Sequence, residues 1–80
     1  MSGRISPVWV APVEVARAMA PPQVRMRLIG LEALGVRFRQ SAFLMAIGGR
    51  VVASVEFVDP CPDGKTALRF QTGVALRENG

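Results

Sequence analysis

Two pairs of arginines, Arg25 with Arg27 and Arg37 with Arg39, are the residues here whose type and spacing most readily suggest chemistry. A guanidinium presents a planar fork that makes two parallel hydrogen bonds to a phosphate or carboxylate, where lysine offers a point charge. If both pairs lie on strands, side chains two apart point the same way. Pairing the strands would then gather all four cations on one solvent face suited to a phosphate backbone. Arg50, next to Gly48-Gly49, adds a cation beside the amides of a turn. The plainer reading is that the outer face of a half-buried sheet has to be polar. Ten basic residues against six acidic ones give a net charge of +4, and nine of the ten are arginine. An arginine-rich, lysine-poor, alanine- and glycine-rich composition is also what a GC-rich coding background produces. Should residues 22–34 be helical, Arg25 and Arg27 diverge and the patch dissolves.

The rest of the reactive inventory is thin. There is no histidine to act as a base near neutrality, and Cys61, the single cysteine, stands between two prolines without an activating partner. One thiol makes no internal disulfide and, without histidine, no soft-ligand metal site, so neither a metal nor a cofactor is expected. Asp59 and Asp63 flank a loop, where turn formation explains them better than acid-base work. Gly64-Lys65-Thr66 imitates the end of a phosphate-binding loop, but lacks the upstream glycine and follows prolines instead of a strand. The sequence does not point to an enzyme. Phe38, Phe43, Phe57 and Phe70 are candidates for stacking on bases, although three of them share the apolar parity of their segments and read as core.

The elements that position these residues follow from the turn formers. Residues 1–10 contain a short strand limited by Pro7, with Trp9 expected to cover the core. Pro12 is expected to open a short helix running to residue 20, with Val13, Ala16, Met19 and Ala20 as its apolar stripe, ended by Pro21-Pro22. Residues 23–28 alternate apolar and polar, which favours a strand. The competing reading is a helix over 22–34 with Pro22 near its start and Gly35 at its C-cap. Residues 42–47 are continuously apolar, Gly48-Gly49 suits a tight turn, and residues 50–58 return as a strand, the best hairpin in the chain. Residues 59–64 are a loop, and residues 66–72 a strand with Leu68 and Phe70 inward. Gly73 marks a bulge or bend before a last short strand at 74–76.

These elements define a mainly β or α+β domain: a short N-terminal helix on a bent antiparallel sheet, or a small barrel, of four to six strands. In element order alone the chain resembles small ring-forming RNA-binding barrels of the Sm-like kind. All 80 residues form one domain, with 1–4 and 77–80 frayed. A chain this short buries only about 60 to 65% of the surface its unfolded form exposes, so oligomerisation is a natural source of further stability. The run at 42–47 is apolar on both parities, which places Phe43, Met45 and Ile47 at an interface with a partner subunit. No stretch is long and apolar enough to span a membrane, and the N-terminus is a poor secretory signal because prolines and charges interrupt it, so the expected location is the cytoplasm. The function expected is that of a small, non-catalytic, oligomeric structural or regulatory protein working through protein-protein contacts. The alternative is a nucleic-acid-binding module, or one for an acidic protein partner, built on the arginine face.

Overall fold

Prolines and glycines punctuate the chain into six elements. The computed structural model describes residues 8–75, as β1 (Val8–Pro12), α1 (Val13–Ala18), α2 (Pro22–Ala33), β2 (Phe38–Ile47), β3 (Arg50–Phe57) and β4 (Ala67–Ala75). The ends expected to fray lie outside the described residues. The strands form one antiparallel sheet in the order β1-β2-β3-β4, with α1 packed on one of its faces. The class is therefore the mainly β, α+β one, and the sheet is open: among the described residues β1 and β4 are its two edges and do not pair. This differs from the barrel alternative and from the Sm-like likeness in element order.

Pro12 is the last residue of β1 and the N-cap of α1, at φ −59 and ψ 146, so the helix starts one residue later than expected and stops at Ala18, short of residue 20. Proline suits that junction because its missing amide is needed by neither element. Val13, Ala16 and Ala20 are buried against Ala42, Ala53, Val55 and Phe70. Ala16, Ala42 and Ala53 have no exposed surface at all, so it is the small side chains at the contact that let the helix approach the sheet. The carbonyl of Met19, just past the helix, accepts a hydrogen bond from the amide of Gly73 in β4 at 3.0 Å.

Residues 22–33 are helical, so the strand reading of the alternating segment does not hold. The residues that decide this are at the ends. Pro22 opens the helix, where its lack of an amide costs nothing. At the other end Gly35 takes φ 92, the Gly35 amide donates to Glu32 O at 2.9 Å and the Val36 amide to Leu31 O at 3.0 Å. That pair of bonds is a Schellman closure, which needs a residue tolerant of positive φ at this one position. Arginine, methionine, leucine and glutamine are all good helix formers, so period-two alternation over six residues was too short a signal to override them.

The hairpin forms as expected. Gly48 (φ 58) and Gly49 (φ 77) make a two-residue turn with both central residues at positive φ, and Ile47 pairs with Arg50. Trp9 lies on the edge strand, beside Leu44 on the helix side of the sheet, and is 45% exposed. β4 runs through Gly73 as one strand, and the irregularity falls there as expected: Val52 pairs with Gln71 and Arg50 with Ala75, so one residue of β3 lies opposite residues 72–74 of β4.

Candidate interaction surface

The antiparallel registers fix which side chains share a face, because directly paired residues project to the same side. One row across the sheet reads Trp9, Leu44, Ala53, Phe70 and the next Ala11, Ala42, Val55, Leu68. These rows lie under α1 and contain most of the core. The intervening rows face away from the helices. They are Val10, Phe43, Ser54, Arg69 and Val8, Met45, Val52, Gln71.

This open face is divided. Its β4 side is polar, as expected of a sheet facing water. Its β1 and β2 side is apolar: Val10 is 65% exposed and Val8 54%, Phe43, Met45 and Val52 are partly exposed, and Ile47 is half exposed at the hairpin end. The expected interface residues Phe43, Met45 and Ile47 thus share one face, joined by Val8 and Val10 of the edge strand. Ser54 is buried between its row neighbours Phe43 and Arg69.

The five arginines proposed to hold an anion are distributed over the molecule. Arg25 and Arg27 lie on α2, and the first donates to Ala20 O at 3.1 Å. Arg27 is exposed and has no hydrogen-bond or ion-pair partner among the described residues. Arg37 precedes β2 and meets Asp59 Oδ2 at 2.7 Å, and Arg39 on β2 lies 3.8 Å from Glu56. Arg50 donates to Gln71 Oε1 at 3.3 Å beside the hairpin turn. The four-arginine face therefore does not assemble: two members follow helical geometry, and the other two each face a carboxylate.

A groove of about 810 Å³ lies beside the first residues of β2, against α1 and the end of α2. Three arginines line it (17, 37 and 39) and so do three glutamates (14, 32 and 56). Arg17 forms an ion pair with Glu32 and stacks over the Phe38 ring at 5.3 Å, and Phe38 in turn packs on Phe57 with centroids 5.6 Å apart. The three arginines and three glutamates of the groove balance in charge. Among the described residues no three His, Cys, Asp or Glu side chains come together as a metal site would need, and no helix is long and apolar enough to cross a membrane.

Comparison with known proteins returns no likeness: no protein-family model matches the chain, and neither does any curated protein or solved structure.

Proposed function

We propose that this chain is a small, non-catalytic structural protein of the cytoplasm that works by self-assembly, burying the apolar half of its open sheet face against another copy. The observation that carries this reading is the shared face of Val8, Val10, Phe43, Met45 and Val52, uncovered beside a one-sided core. A sheet bearing such a face is half of a sandwich, and two sheets stacked about 10 Å apart with their inner faces interdigitated complete it. Methionine and phenylalanine suit such a contact, since the first adapts its shape and the second supplies area. Arg69 and Gln71 on the same face form a polar border of the kind that surrounds interface centres. The nucleic-acid reading has less support, because Arg37 and Arg39 are paired within the chain and Arg25 and Arg27 are on a separate element. The test is the dependence of mass on concentration in sedimentation equilibrium. Reversible association of the parent chain supports the reading, and a monomer at every concentration removes it.

A further inference from the structure

Helix α2 is apolar on two opposite sides. Leu28 is buried, Val24 and Leu31 are partly so, and these three lie along one side at about 3.6 residues per turn. On the other side Pro22, Met26, Ile29 and Ala33 are all exposed, Met26 at 68% and Ile29 at 53%. Their spacing is four, three, four, that of a helix-packing seam, with Met26 and Ala33 at one core position of a heptad and Pro22 and Ile29 at the other. Gly30 borders this stripe. It has an ordinary φ and a Cβ there would meet nothing within 4 Å, so neither backbone conformation nor packing within the chain requires glycine. In mid-helix it costs about 1 kcal/mol relative to alanine. A close-approaching second helix is what a bare backbone at that border admits.

We infer that the outer stripe of α2 pairs antiparallel with the same stripe of a second copy. The flanking charges select this occupant. Arg25 and Glu32 are seven residues apart and so occupy the same heptad position, on one border of the stripe. Placing Met26 against Ile29 of the second copy, and Pro22 against Ala33, sets the register of an antiparallel pair. In that register Arg25 of each chain faces Glu32 of the other, twice by symmetry, while Gln23 faces Gly30 across the opposite border. A parallel arrangement would set Arg25 across from Gly30 of the second copy and Glu32 past the end of the helix, so that neither charge meets an opposite one. Glu32 holds Arg17 through Oε2, which leaves Oε1 for the second cation. This seam is on a different element from the open sheet face and does not rest on that assembly reading.

Sedimentation of full-length chains carrying Met45→Glu, which silences the sheet face, reads the helical contact alone. Arg25→Glu places like charges across the seam, and so does Glu32→Lys, so each is expected to weaken association about tenfold or more. An equimolar mixture of the two restores both pairs as opposite charges and is expected to regain the parental affinity as a heterodimer. A mixture no tighter than its components, or an Arg25→Glu chain that associates like its parent, overturns the inference. The second measurement keeps Met45 and needs no charge change. With Cys61→Ala, a short bis-maleimide is expected to couple Ile29→Cys chains into dimers and to leave Arg27→Cys chains, whose thiol points off the seam, as monomers. Equal coupling of both, or coupling of neither, refutes the pairing. Loss of sheet-face association with retained coupling at residue 29 would remove only the sheet-face reading.

Discussion

Met45→Glu is the most discriminating single change, because its expected effect depends entirely on what the open face meets. Met45 occupies the row between Val8 and Val52, is partly exposed, and points away from the helices. In an isolated chain a carboxylate there projects into water, and a surface change of this kind alters stability by about 0.5 kcal/mol or less. In a face-to-face dimer the same carboxylate is removed from water without a partner. At the low end that costs about 2 kcal/mol per copy, or about 4 kcal/mol for the symmetric pair. With about 1.4 kcal/mol to each factor of ten, the dissociation constant should rise about a thousandfold. Sedimentation equilibrium of parent and variant measures that ratio, and urea unfolding at concentrations where both are monomeric measures the stability of the fold. An unchanged association constant refutes the interface. A fall of several kcal/mol in the stability of the monomer instead refutes the assignment of Met45 to the open face, since it would mean the charge had entered the core.

Three further variants test the fold and the rejected charged surface. Gly49→Ala forces a side chain into φ 77 with open space around it, so the loss should be conformational alone, about 1 to 2 kcal/mol by urea denaturation. Leu28→Ala removes the one fully buried anchor of α2 and should destabilise by about 2 to 5 kcal/mol. Because α2 makes few contacts with the sheet, its helical circular dichroism should melt ahead of the Trp9 signal, whereas coincident melting would show that α2 belongs to the main cooperative unit. Arg37→Gln combined with Arg39→Gln should leave the salt dependence of retention on immobilised single-stranded DNA unchanged, since both charges are balanced by Asp59 and Glu56. A drop of about two in the log-log slope would show that they contact phosphates after all.

How much of this was legible depended on how local each signal was. The hairpin needed only two glycines between β-rich segments, and the buried side of α1 needed only Val13 and Ala16 at helical spacing. Both are properties of a few neighbouring residues and both formed, although the helix stops at Ala18 and Ala20 reaches the core from the turn that follows. Segment 22–34 failed because two periods fit it. Its six alternating residues matched a strand, while Pro22 and Gly35, thirteen positions apart, matched the start and end of a helix, and the end chemistry won. That one outcome dismantled the arginine face. It also hid the outer stripe of α2, for a helix apolar on opposite sides has little net amphipathicity and gives no clear periodic signal. The exposure of Trp9 and the contribution of Val8 and Val10 to the open face were not readable locally. They depend on β1 being an edge strand whose Val8, Trp9 and Val10 pair with the distant Met45, Leu44 and Phe43, a matter of register that composition does not encode.

The two surfaces together constrain assembly more tightly than either alone. The open sheet face and the outer stripe of α2 belong to different layers, one facing away from the helices and the other lying on a helix. If each contact is made with an identical patch, each has its own two-fold axis, and the two axes cannot coincide because they cross different elements. A protein with two such contacts does not stop at two copies. It closes into a tetramer when the axes meet at right angles and into a larger closed ring when they meet at a smaller whole fraction of a half-turn, and it extends as an open chain of alternating contacts when the axes do not meet. Met45→Glu and Arg25→Glu should therefore each reduce the parent assembly to dimers, by different contacts, and only the two together should yield monomers. If either change alone reaches the monomer, one of the two surfaces carries all of the association.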